Sequence, residues 1–96
     1  MNLYMVHCGF YDQQVGDGIY ESHINVFVVA ESFEDARKKA KLLPEFKEKR
    51  MHVDGLQELQ AVDGFRLRLE SDASLQGKSV LINQKHRDLA PTTSSS

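Results

Sequence analysis

Strict alternation opens the chain. Tyr4, Val6, Cys8 and Phe10 fall on one side of a stretch running from Leu3 to Tyr11, with Met5 and His7 on the other, which is the period of a β-strand. The following DQQVGDGI segment, 12–19, is rich in turn formers, and Gly16 and Gly18 reach positive φ at little cost. It predicts a hairpin onto a second strand over 21–30. There Ile24, Val26, Val28 and Ala30 alternate with Glu21, His23, Asn25, Phe27 and Val29. The run VFVVA is apolar on both sides, which predicts a strand interior to its sheet.

The period then lengthens. Ser32 is a good N-cap and Asp35 stands three residues on, a variant of the capping box. Phe33, Ala36, Ala40 and Leu43 recur at helical spacing, and Pro44 ends or kinks the helix at about Leu43. After a charged connection over 45–50, the pattern becomes extended again. MHVDG at 51–55 predicts one short strand, 56–62 another, and Val62-Asp63-Gly64 a tight turn. Phe65, Leu67 and Leu69 alternate with Arg66 and Arg68, as in a half-buried strand, and SVLIN at 79–83 could add an edge strand.

These elements give an α+β fold, β-β-α-β-β, with a small, mostly antiparallel sheet and one helix packed on one face. Residues 1–83 are expected to form a single domain and 84–96, ending APTTSSS, a polar disordered tail. A chain of 96 residues buries only about 60–65% of its unfolded surface, so its core is thin and a second copy is the simplest cover for the open sheet face.

Charge and composition narrow the function classes. The net charge is −2, with a hydrophobic share of 41%, which gives no global attraction to nucleic acid or anionic membrane. No apolar stretch approaches the roughly 20 residues of a membrane span. The start, MNLYMVHCGF, lacks the basic and long apolar regions of a secretory leader. With one cysteine no internal disulfide can form, and a cytoplasmic location is expected.

The chemistry-bearing residues come in two pairs. Glu21-Ser22-His23 puts a carboxylate and an imidazole on one side of a strand, and His52-Val53-Asp54 does the same wherever that piece is extended. If the two segments met, two imidazoles and two carboxylates would gather, with His7 as a possible fifth member. Such a set suits zinc, manganese or iron, or general acid–base chemistry. Spacing of two is common by chance, however, and no H-E-x-x-H or cysteine-rich signature accompanies it. On spacing alone Glu21, His23, His52 and Asp54 are ligand-binding candidates first. No cofactor is expected, and a divalent metal at the same four residues is the less favoured reading.

Other signals resolve as structure. Cys8 shares its strand face with Tyr4, Val6 and Phe10, which makes it a core thiol rather than a nucleophile. Gly77-Lys78-Ser79 resembles the end of a phosphate loop, but Asp72 stands where the motif requires glycine. Gly9, Gly16 and Gly18 do not fit a dinucleotide fingerprint and read as turn glycines. The basic residues from Arg37 to Arg50 alternate with acids at i,i+4 (Glu34–Lys38, Asp35–Lys39, Glu45–Lys49), a solvated helix face. No aromatics interleave for base stacking, so nucleic-acid binding through Lys38, Lys41, Arg66 and Arg68 ranks last.

Taken together, E-S-H-x-x-x-F-V-V-A at 21–30, S-F-E-D-A-R at 32–37, H-V-D-G-L at 52–56 and V-D-G-F at 62–65 resemble a family of small bacterial proteins grouped as a domain of unknown function. The resemblance covers about 3–69. It implies one α+β unit, occurring singly or in tandem, and self-association for a single copy. The lysine-rich stretch after Pro44, where Phe46 is the one aromatic, departs from the larger aromatic that the family would carry there. No activity comes with the resemblance. The leading expectation is a dimerising module that binds a partner protein or a small polar ligand near Glu21, His23, His52 and Asp54. The alternative is a small metal- or His/carboxylate-dependent hydrolase at the same residues.

Overall fold

A computed structural model describes residues 1–14 and 16–85. Strand β1 (Asn2–Tyr11) pairs antiparallel with β2 (Glu21–Ala30) in unbroken register, from Asn2 opposite Ala30 to Tyr11 opposite Glu21. Helices α1 (Phe33–Lys41) and α2 (Pro44–Glu48) follow, and β3 (His52–Leu59) returns antiparallel along the other side of β1. The sheet order is β2-β1-β3. The fold is therefore α+β, with a small antiparallel sheet carrying one main helix on one face.

Local chemistry explains the helical boundaries. Ser32 Oγ accepts a hydrogen bond from the Asp35 amide at 3.1 Å, and Asp35 Oδ2 accepts from the Glu31 amide at 3.2 Å, so the first turn of α1 is capped. Pro44 cannot donate into a continuing helix. It instead opens α2, where its missing N–H costs nothing. All three i,i+4 ion pairs form, at 3.5 to 3.6 Å.

The core lies between α1 and one face of the sheet. Tyr4, Val6, Cys8 and Phe10, the alternate residues of β1, are buried against Ala30, Ala36, Ala40 and Met51. Ala36 and Ala40 have no exposed surface, and their small side chains let the helix sit close on the strands. Tyr4 donates its hydroxyl to Glu58 Oε1 at 2.8 Å and meets the Phe33 ring edge-on at 5.2 Å, so its polar end is satisfied within the core's rim. Each fully buried Val-sized side chain contributes about 1.5–3 kcal/mol.

Several expectations are corrected. Among the described residues β2 is an edge strand and β1 is the interior one. The apolar run VFVVA has two faces because Val26, Val28 and Ala30 pack beneath α1, while Phe27 and Val29 stand 56% and 41% exposed on the open face. The 52–59 stretch is not divided at Gly55 as expected. It is one strand with a register shift opposite His7 and Cys8, where β3 carries an extra residue. Beyond it, β4 (Ala61–Val62) and β5 (Phe65–Arg66) form a separate hairpin. Asp63 and Gly64 turn it with φ of 51° and 83°, the left-handed pair that a twisted hairpin needs. Leu67 and Leu69 do not extend β5, and 79–83 form no strand. Of the expected tail 84–96, residues 86–96 lie outside the described residues.

Candidate functional site: a histidine–carboxylate cluster across three strands

The open face of the sheet, opposite the helices, carries the odd-numbered residues of β1 and β2. Gly9 of β1 stands opposite His23 on one side and His52 on the other. The two histidines thus belong to strands that never touch, separated by two inter-strand spacings of about 4.8 Å each. They meet because the residue between them has no side chain. A Cβ built on Gly9 would lie 2.6 Å from His52 Nε2 and from Asp54 Oδ2, and would overlap Glu21 Oε1 still further. A side chain at this position would push the tips of Glu21, His52 and Asp54 out of their present arrangement.

Asp54 joins through the irregularity of β3. The register passes from Cys8–Val53 to His7–Gly55, so Asp54 is the extra residue. A bulge re-aims side chains, and here His52 and Asp54 flank Val53, which packs on the core side, while Asp54 reaches back over Gly9.

The four side chains form a closed ring of contacts. His23 Nε2 lies 2.7 Å from Glu21 Oε1 and 3.1 Å from Asp54 Oδ2. His52 Nε2 lies 3.1 Å from Glu21 Oε1 and 3.1 Å from Asp54 Oδ1. Each imidazole nitrogen carries at most one proton, so at most two of these four contacts can be linear hydrogen bonds at once. The side chains are 28% to 46% exposed, open to a ligand from solvent.

A surrounding set orients the four. The Tyr11 hydroxyl donates to Glu21 Oε2 at 3.3 Å, leaving Oε1 for the histidines. His7 stacks on His23, with centroids 4.9 Å apart and planes within 6°, and its Nδ1 lies 2.7 Å from Asn25 Oδ1. Desolvation raises the Glu21 carboxyl, but hydrogen bonds from His52 and Tyr11 and the charge of both imidazoles outweigh it, so its pKa sits below the ordinary glutamate value. The same carboxylate raises the Tyr11 phenol, first by its charge and then through the hydrogen bond.

All four residues singled out by spacing are brought together, and His7 stands beside them. Spacing missed Gly9, Tyr11 and Asn25. Gly9 did leave a signal: a lone glycine inside an alternating strand pattern marks a close approach or a bulge. Cys8 lies on the opposite face, buried, its thiol raised by desolvation and then by the charges of Asp54 and Glu45. It takes no part in the cluster.

The chemistry open to this set is ligation or proton transfer. An ion held tetrahedrally at about 2.0–2.1 Å needs its ligands about 3.3–3.4 Å apart, and an octahedral one needs neighbours about 3.0 Å apart. The observed contacts of 2.7 to 3.1 Å lie within about 0.3 Å of the octahedral spacing and fall about 0.2 to 0.7 Å short of the tetrahedral one. Glu21, His52 and Asp54 form one candidate ligand triad, and His7, His23 and Asp54 a second.

No curated protein and no solved structure matches the chain. A family model does, over residues 19–69, which contain all four cluster residues and just over half of the sequence: the chain belongs to the family described as Domain of Unknown Function (DUF1543).

Proposed function

We propose that this protein is a small-ligand-binding module whose ligand is a divalent transition-metal ion held by Glu21, His23, His52 and Asp54. One observation carries the reading: two imidazole nitrogens each stand within 3.1 Å of both of two carboxylates, over a glycine that keeps the space clear. Two nitrogen and two oxygen donors suit zinc, iron(II) or manganese better than calcium or magnesium, which prefer all-oxygen shells. The buried, unpaired Cys8 agrees with a reducing, cytoplasmic setting. The test is metal titration of chelator-treated protein by calorimetry and elemental analysis, beside a His23→Ala, His52→Ala variant. Tight zinc or manganese uptake by the wild type, lost in the variant, supports the reading. No uptake, or equal uptake by both, overturns it.

A second reading, self-association, is favoured by the β2 edge. Its ten residues contain neither lysine nor proline, the residues that usually guard an edge, and Phe27 and Val29 stand exposed beside it. Lys39 Nζ donates to the Val29 carbonyl at 2.7 Å, covering only one end of the strand. An antiparallel β2–β2 pair between two copies would join the two sheets. Sedimentation of the wild type and of Asn25→Pro, which puts a proline mid-edge, tests it. A dimer converted to monomer by that change supports the pairing, and a wild-type monomer rules it out.

A further inference from the structure

Resting on the self-association reading, we infer that the strand a second copy lays on the β2 edge is its 79–83 segment, SVLIN, in place of its own β2. Two features are left unfinished within one chain, and each supplies what the other lacks. β2 has β1 on one side only, and its other edge carries neither lysine nor proline to guard it. SVLIN has the composition of an edge strand, yet it forms no strand among the described residues.

The apolar residues of that segment are consecutive and bare. Val80 is 70% exposed, Leu81 77% and Ile82 98%. Exposed apolar side chains scattered singly are ordinary, but a run of three marks a surface that is covered in use. In an extended strand Val80 and Ile82 point to one face and Leu81 to the other. β2 offers apolar neighbours on both: Phe27 and Val29 stand exposed on the open face, and Val26 and Val28 are only partly buried beneath α1.

The edge is open where the added strand would lie. Lys39 Nζ takes the Val29 carbonyl at 2.7 Å, so that carbonyl is directed away from β1. Main-chain groups alternate in direction along a strand, so those of His23, Asn25 and Phe27 point outward too, and five residues of an added strand span them. Charge matches as well. Segment 78–85, KSVLINQK, carries two lysines and no acid, while β2 with Glu31 carries two glutamates and neither lysine nor arginine. A β2–β2 pair has no such complementarity and leaves 79–83 bare. Each copy has one such segment and one such edge, so two copies that exchange segments close the pair.

The experiment is sedimentation of the full chain beside Leu81→Pro, Ile82→Asp and Asn25→Pro, with hydrogen exchange of the wild type above and below its dimerisation constant. The wild type should be a dimer in which the amides of 79–83 exchange slowly, and dilution to monomer should free them. Leu81→Pro removes an amide from the added strand and Ile82→Asp puts a charge in the seam. Each should weaken association tenfold or more with an unchanged circular dichroism spectrum. Both residues are largely exposed in the single chain, so neither change threatens its folding. A dimer that survives both, yet is lost in Asn25→Pro, overturns the inference and leaves β2–β2 pairing standing. A dimer that survives all three defeats both pairings, as does a wild-type monomer. Rapid exchange at 79–83 in the wild-type dimer also overturns the inference.

Discussion

His23 and His52 face each other across a strand to which neither belongs, each opposite Gly9 of β1. Edge strands of a three-stranded sheet rarely exchange side-chain contacts, because the middle strand's side chains stand between them. Here Gly9 removes that barrier at one row, and side chains of β2 and β3 meet above it.

Gly9→Ala is thus the sharpest single change to the site. The added methyl would meet three of the four cluster side chains at or below 2.6 Å, with the strand backbone unable to retreat from its own ladder. The atoms it meets are the far ends of flexible, partly exposed side chains, so the change displaces the cluster at little cost to the fold. Zinc affinity should fall by at least tenfold in calorimetry, while far-UV circular dichroism stays native. Undiminished zinc binding would show that the space over Gly9 is not used.

The depressed Glu21 carboxyl gives the metal-free protein a pH signature. A carboxyl whose folded pKa lies below the unfolded value stabilises fully above the ordinary glutamate value, 4.5, and that contribution is lost as pH falls through the folded value. In chelator-containing buffer, the stability gap between wild type and Glu21→Gln should narrow as pH falls below the ordinary glutamate value. Urea midpoints at successive pH values report this. A gap that grows as pH falls below 4.5 would mean the carboxyl is raised instead.

Alternation alone placed Glu21 with His23 and His52 with Asp54, and the cap at Ser32 was visible as a residue type at a known offset. Three things were not legible, each for a physical reason. Strand order depends on tertiary packing, so nothing in VFVVA distinguishes a strand interior to a sheet from an edge strand packed beneath a helix. The bulge at Asp54 and Gly55 looks like a strand break in sequence, because it interrupts the two-residue period without ending the ladder. The alternation of Phe65, Leu67 and Leu69 had the right period, but among the described residues the hairpin pairing stops at Arg66 apart from the Leu67 amide bonded to the Gln60 carbonyl at 2.9 Å. Gly9 reads as a turn glycine in sequence, because the strand's buried face, Tyr4 to Phe10, says nothing about the other side.

Removing the Ser32 cap probes the helix apart from the site. Ser32→Ala leaves the Asp35 amide without its side-chain acceptor, which costs about 1 kcal/mol at an N-cap. For a domain of this size that is a fall of about 4–8 °C in melting temperature. Calorimetric melting checks it, and metal uptake should be unchanged because α1 lies across the sheet from the cluster. A loss of metal affinity in this variant would reveal coupling through the sheet that the packing does not predict.

Cys8 reports on both faces at once. Its side chain lies in the core and the cluster lies on the other side of the same strand, so the thiol is reached only when the sheet opens, and opening also dismantles the metal site. Desolvation further holds the thiol in its unreactive protonated form. A disulfide reagent should therefore label native protein slowly and denatured protein at once. Zinc at one hundred times its dissociation constant stabilises the closed state by about 2.7 kcal/mol, so labelling through global opening should slow about a hundredfold. Rapid labelling of the native protein would refute the burial of Cys8. Slow labelling that ignores zinc would show that the core opens locally, leaving Glu21, His23, His52 and Asp54 assembled above it.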